Sequence, residues 1–104
     1  MKTIKAGLIV CILGVLTLVL VKLRGPAPDG ALLFKEERCI YCHSFKARGA
    51  TIGPDLTDVA KRRSEDWIRD QIRNPRLHNR ESGMPPHEYL SGREIDAILK
   101  YLKS

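Results

Sequence analysis

"CIYCH", Cys39 to His43, decides how the chain is to be read. It sets two thiols three positions apart, with an imidazole immediately after the second. Three chemistries want such a group: a redox dithiol, a structural zinc site, and a covalently held haem. A thioredoxin-like dithiol needs a βαβ setting, and the surrounding sequence offers helices and loops only. A structural zinc needs four ligands. Cys39, Cys42 and His43 give three at most, and the adjacent pair Cys42 and His43 is poorly placed to reach one ion together. The remaining cysteine, Cys11, lies in an apolar segment. Haem attachment fits the spacing without strain. Cysteines at i and i+3 lie on one side of a helical turn, from which they can add to two porphyrin vinyl groups as thioethers. His43 then sits under the macrocycle and offers a nitrogen to the iron. C-x-x-C-H is the attachment signature.

On the N-terminal side, "RGPAPDG" (residues 24–30) is a Pro/Gly linker. "ALLFKEER" then predicts a helix from about Asp29 or Gly30 to Cys39, with Asp29 as N-cap and one further turn to His43. Before the linker, residues 6–21 carry no charge, with Lys2 and Lys5 ahead of them and Lys22 and Arg24 behind. Their helix would be ~24 Å long, somewhat short of a ~30 Å hydrocarbon core, and snorkelling lysines at both ends would make up the difference. A cleaved secretory signal would want small residues before the cut and few charges between core and cut. The best candidate, Gly25-Pro26-Ala27, lies behind Lys22 and Arg24 and is followed by Pro28. A retained anchor is therefore expected.

The net charge of +6 suggests nucleic acid only until it is located. Four of the 18 basic residues flank the apolar segment, so 14 face 12 acidic residues from Gly25 onward. A head of about +2 is no strong polyanion binder, and no nucleic-acid partner is expected. The same head has few large apolar residues, so its core would be thin unless something else fills it.

Past the motif, "KARGATIGPDLTDVA" reads as a loop with a helical turn near residues 56–60, and no convincing strand appears anywhere. "SEDWIRDQIRN" predicts a helix capped by Ser64, with Trp67, Ile68, Gln71 and Ile72 on one face and an i,i+4 ladder of Glu65, Arg69 and Arg73 on the other. Pro75 ends it. Another loop carries Met84. "SGREIDAILKYLKS" then predicts a last helix, opened by the capping box of Ser91 and Glu94 and burying Ile95, Ile98, Leu99 and Leu102.

With "GALLFKEERCIYCHSF", "GPDL", a Trp-bearing helix, "GMPP" and a final helix ending "YL", residues 30–104 resemble the class I monohaem c-type cytochromes, particularly the small, membrane-anchored bacterial kind. The resemblance implies an all-α head around one covalent haem c, with one N-terminal transmembrane helix. Residues 1–24 would be the anchor, 25–30 the linker and 31–104 the cytochrome domain. It further implies that the carbonyl of Pro54 accepts from the His43 ring and that Leu56 packs on the porphyrin. The first and last helices would cross near Phe34 and the Ile98–Tyr101 region. A large covalent apolar disc would also thicken the core, giving Leu32, Leu33, Phe34, Ile52, Leu56, Ile72, Leu77, Ile98 and Leu102 something to pack around.

The iron has a second face. Met84 is the only methionine after the initiator. Its thioether does not titrate, stays bound in both oxidation states and favours a raised potential; Pro85 and Pro86 would stiffen its loop. Against it stand the bland role of a gap-filling methionine and two rival ligands, His78 and His87, both read as surface histidines. Trp67 reads as core, with a haem propionate as a candidate partner for its indole N–H. Arg69, Arg73, Arg76 and Arg80 could steer an acidic partner or pair with propionates, but they read first as a solvated face.

The expected function is one-electron transfer between or within respiratory complexes, with no substrate transformed. Redox partners would be a quinol–cytochrome c oxidoreductase or a terminal oxidase or reductase. Two basic residues on each flank leave orientation undecided; the resemblance implies an inner-membrane protein with its head on the periplasmic side. The competing classes are a haem sensor or minor peroxidase with an open sixth position, and a permanent haem subunit of an oxidase or reductase.

Overall fold

A computed structural model of the chain describes residues 2–23 and 25–104, with side chains from Ile4 onward. The positive flanks expected of Lys2 and Arg24 therefore lie, as side chains, outside the described residues. Helix α1 runs from Lys2 to Leu23. Its apolar stretch, Ile4–Leu23, is 20 residues, about 30 Å at 1.5 Å per residue, so the span is longer than the uncharged stretch alone predicts. Every side chain of that stretch is exposed. A helix apolar on all sides with nothing packed against it has the composition and length to cross a membrane. Gly25, at φ 66°, turns the chain after it and returns its N–H to the Lys22 carbonyl at 3.3 Å.

Helix α2 spans Gly30–Glu36, and Asp29 caps it as expected: its Oδ1 accepts from the N–H groups of Ala31 (3.0 Å) and Leu32 (3.2 Å). The helix stops three residues short of Cys39, contrary to the sequence expectation. Arg38 adopts a left-handed conformation (φ 63°), and the chain restarts as a 3-10 turn over Cys39–Tyr41. There is also a short hairpin. Strands β1 (Ser44–Phe45) and β2 (Arg48–Gly49) pair antiparallel, and Lys46 and Ala47 at their tip both have positive φ. That is the geometry of a two-residue hairpin turn, which Asn-Gly would normally announce; Lys-Ala does not.

The remaining helices are α3 (Val59–Arg62), α4 (Glu65–Arg73) and α5 (Gly92–Leu102). The turn read near residues 56–60 is α3, a few residues later. Ser64 caps α4 through the Trp67 N–H at 3.1 Å. The capping box on α5 is complete, with Ser91 Oγ accepting from Glu94 N (3.2 Å) and Glu94 Oε1 accepting from Ser91 N (3.0 Å).

Helices α2 and α5 form the main packing unit. Gly30 makes their close approach possible: a Cβ there would stand 1.9 Å from the Ala97 carbonyl oxygen. Below the crossing, the rings of Phe34, Phe45 and Tyr101 cluster, with centroids 5.5 Å (Phe34–Tyr101), 4.8 Å (Phe45–Tyr101) and 6.3 Å (Phe34–Phe45) apart. Such tilted pairs add about 0.5–1.5 kcal/mol each beyond burial. Ile95, Ile98, Leu99 and Leu102 are buried against this cluster, as the stripe on α5 predicts. Arg69 does more than join the ladder on α4. Its guanidinium lies 3.7 Å from Glu65 and 3.4 Å from Asp66, and reaches Asp96 on α5 at 2.7 Å. With Lys103 paired to Glu65, it ties α4 to α5, so Arg69 is not free to meet a partner protein.

Candidate functional site

The "CIYCH" segment forms a tight turn on one carbonyl: Cys39 O accepts from both Cys42 N (3.1 Å) and His43 N (2.8 Å). In a 3-10 turn residues i and i+3 eclipse, which sets Cys39 and Cys42 on the same side. Both are half-buried free thiols. Burial, more than any neighbouring charge, pushes the Cys39 thiol up to about 11. Thiol–disulfide exchange needs the thiolate, so this pair is badly set for dithiol redox work. Among the described residues, no three His, Cys, Asp or Glu side chains gather as they would around an ion, and zinc lacks its donor set.

His43 is oriented from behind. Its Nδ1 lies 2.8 Å from the Pro54 carbonyl oxygen. A carbonyl can only accept, so Nδ1 carries the proton and Nε2 keeps the lone pair for coordination. The backbone around it is laced to the turn: Gly53 N donates to Cys42 O (2.6 Å), Ala50 N to Ile40 O (3.1 Å) and Leu56 N to Ser44 O (2.8 Å). Asp55 anchors this loop, accepting from Ser44 Oγ (2.6 Å) and Thr57 N (2.9 Å); those bonds hold its carboxyl below the ordinary carboxylate range.

Two glycines make room for His43, Gly53 for its ring and Gly49 for its backbone carbonyl. A Cβ at Gly53 would lie 2.7 Å from Cε1 and 2.8 Å from Nδ1 of the ring, and a Cβ at Gly49 would lie 2.2 Å from the His43 carbonyl oxygen. Gly53→Ala should therefore displace the ring and cost about 1–3 kcal/mol, the usual range for overpacking. Thermal unfolding checks this against Gly83→Ala, whose Cβ would meet nothing within 4 Å. Equal melting temperatures would show that the ring is not held against Gly53.

Met84 is half-buried on a loop fastened on two sides. Toward α4, the Gln71 side-chain amide lies 3.6 Å from its sulfur, and His87 N donates to Ile72 O at 3.0 Å. Toward the thiols, His87 Nε2–H donates to the Glu37 carbonyl (3.3 Å) and the Tyr89 hydroxyl donates to the Glu37 carboxylate. That last bond pushes the Tyr89 hydroxyl up to about 12. His87 is thus not the surface histidine expected: it is only 7% exposed, and its Nδ1 is buried without a partner. His78 does lie on the surface, but its ring stacks on Trp67 at 4.3 Å and 11°, while Arg63 covers the indole at 4.4 Å.

Against known sequence families, the chain matches the Cytochrome c family over residues 27–104. The chain belongs to the cytochrome c family. It is also similar to cytochrome c oxidase subunit 2 of Alkalihalophilus pseudofirmus, 27% identical over 86 residues, covering 75% of this chain and 25% of that relative. The chain thus spans about a quarter of the relative's length. As a cytochrome c domain it carries covalent haem c and works in haem-based electron transfer, with Cys39 and Cys42 placed where the attachment motif lies.

The residues on hand fit that cofactor. The thiols share a side, and a committed Nδ1 leaves Nε2 available beside them. Apolar side chains expected around the macrocycle divide into two groups. Leu33, Phe34, Ile98 and Leu102 are in the protein core, with Leu56 and Ile72 at its margin. Leu32, Ile52 and Leu77 are exposed by 51–82% in the polypeptide, where only an added apolar surface would cover them. Sequence reading missed Gln71, Glu37, Tyr89 and Gly53 as supports of the site. Only Gly53 carried a local signal, as the glycine of "GPDL".

Proposed function

We propose that this cytochrome c is a membrane-tethered one-electron carrier whose iron is held by His43 Nε2 and Met84 Sδ. Cys39 and Cys42 form the thioethers. Bound there, the haem supplies a one-electron iron couple; the polypeptide holds it, sets its potential and transforms no substrate. Pro54 fixes the His43 tautomer and ring plane, Leu56 packs on the porphyrin, and Trp67 stands as candidate partner for a propionate. Residues 1–24 serve as a retained inner-membrane anchor and 25–30 as linker, with residues 31–104 the cytochrome domain on the periplasmic side. The observation that carries the reading is the bond from His43 Nδ1 to Pro54 O at 2.8 Å, directly after the two thiols. It aims one lone pair at the place the thioethers define. Met84, on the loop fastened to α4 and to Glu37, is the thioether assigned to the iron's second face.

Redox partners would be a quinol–cytochrome c oxidoreductase or a terminal oxidase or reductase. The likeness to an oxidase subunit favours a second reading, a permanent haem subunit of such a complex. One experiment addresses both. Membranes of cells producing the full chain are washed with salt, and reduced-minus-oxidised spectra are recorded on pellet and wash, before and after protease treatment of spheroplasts. Haem c signal in the pellet, removed from outside by protease, is the expected result. Signal in the wash overturns tethering. Co-purification of a stoichiometric complex in mild detergent would favour the subunit reading over the free carrier.

A further inference from the structure

We infer that Gln71 is a positioning residue for Met84, and that His78 sets its orientation, so that a surface histidine governs the reduction potential. This rests on Met84 being an iron ligand. The contacts form a chain: Met84 Sδ lies 3.6 Å from Gln71 Nε2, and Gln71 Oε1 lies 2.8 Å from His78 Nδ1. Its polarity follows from chemistry. A thioether has no hydrogen to give, so the amide nitrogen faces the sulfur. That leaves the amide oxygen for His78, and an oxygen acceptor requires the proton on His78 Nδ1. The His78 ring is in turn held flat by Trp67, 4.3 Å away at 11°, which carries Arg63 on its indole. Gln71 is half-buried on α4 and His78 follows the 3-10 turn Pro75–Leu77, so the middle link and the far end of these contacts both sit on helical backbone.

The consequence is a matter of sign. The N–H dipole puts its positive end on the sulfur. That withdraws electron density from the ligand and raises the electrostatic potential where an added electron resides, so the reduced form is favoured. An amide free to turn over would present its oxygen instead, with the opposite effect. His78 Nδ1–H prevents that rotation, because a turned amide would set its own N–H against the histidine's.

The test measures midpoint potentials of the holoprotein for wild type, Gln71→Leu, His78→Phe and the double variant. Phenylalanine keeps the stack on Trp67 and removes the donor. Gln71→Leu should move the electron-exchange equilibrium with a fixed partner about tenfold toward the oxidised protein, about 59 mV for one electron. His78→Phe should move it the same way by less. The double variant should match Gln71→Leu alone, because His78 acts only through the amide. Melting temperatures should stay at the wild-type value. Unchanged potentials in both single variants, or additive shifts in the double, would overturn the proposal. The far-red sulfur–iron(III) absorption separates this from the ligand assignment: its absence from the wild type, or its survival in Met84→Ala, defeats the premise, whereas its presence with unmoved potentials defeats the inference alone.

Discussion

Gly30→Ala should lower the melting temperature of the head by about 12–24 °C. The new Cβ would stand 1.9 Å from Ala97 O, 2.6 Å from Ala97 C and 3.0 Å from Tyr101 Cβ. The first two are backbone atoms of α5, which no rotamer change can move aside. Either the helices part or α5 bends. Overpacking costs about 1–3 kcal/mol where side chains can give; against backbone, a loss of about 3 kcal/mol is expected. A domain of this size loses roughly 4–8 °C per kcal/mol. Any gain in helix propensity, at most about 1 kcal/mol, is reduced further because Gly30 is the first residue of α2. Gly92→Ala serves as control: it too is the first residue of a helix, and its Cβ would meet nothing within 4 Å. Thermal unfolding by circular dichroism measures both. Equal melting temperatures for the two variants would mean that the α2–α5 crossing is looser than described.

The contrast between those two glycines shows what sequence can and cannot announce. Gly92 follows Ser91 in a capping box that is legible from four residues, and α5 and α4 were readable from caps and apolar spacing alone. Those signals are local, because a helix terminus is satisfied by residues within one turn of it. Gly30 looks equally ordinary, yet its need for hydrogen in place of a methyl group comes from Ala97, far along the chain. His87 is the same case. In "PPHEYL" nothing marks it for burial, which depends on Glu37, fifty residues earlier. The early end of α2 and the hairpin at Lys46-Ala47 were hidden differently. Arg38, Lys46 and Ala47 hold left-handed conformations that such residues rarely choose, so tertiary contacts override local preference. At the site the attachment motif was plain, since covalent chemistry fixes both residue types and spacing. The chain from Met84 through Gln71 to His78 was not, because an amide and an imidazole on a polar segment look like any solvated face.

Met84→Ala should remove the far-red band of the oxidised protein, let the reduced protein bind carbon monoxide and lower the midpoint potential by on the order of 0.1–0.3 V, within the ~0.8 V that axial ligation spans. Ligand loss and unfolding are separable at this position. Met84 is only half-buried, and its loop is held by bonds that do not use its side chain, from His87 N to Ile72 O and from Tyr89 to Glu37. Removing the thioether therefore costs little packing, and the head should remain folded with His43 still fixed by Pro54. His87 is the rival that the geometry treats most seriously, being buried with a bare Nδ1. Its Nε2, however, is committed to the Glu37 carbonyl, so ligation through Nδ1 would demand that the ring face the iron while holding the loop in place. If His87 were the ligand, Met84→Ala would leave the spectrum as in the wild type and His87→Ala would change it. His78 is committed to Gln71 through Nδ1 and stacked on Trp67; were it the ligand, His78→Phe would change the spectrum and Met84→Ala would not. Were none of the three the ligand, the unaltered reduced protein would already bind carbon monoxide, as an open-site sensor or peroxidase must. Only a closed site in the wild type that opens on loss of the sulfur fits an electron carrier whose ligands need not move between oxidation states.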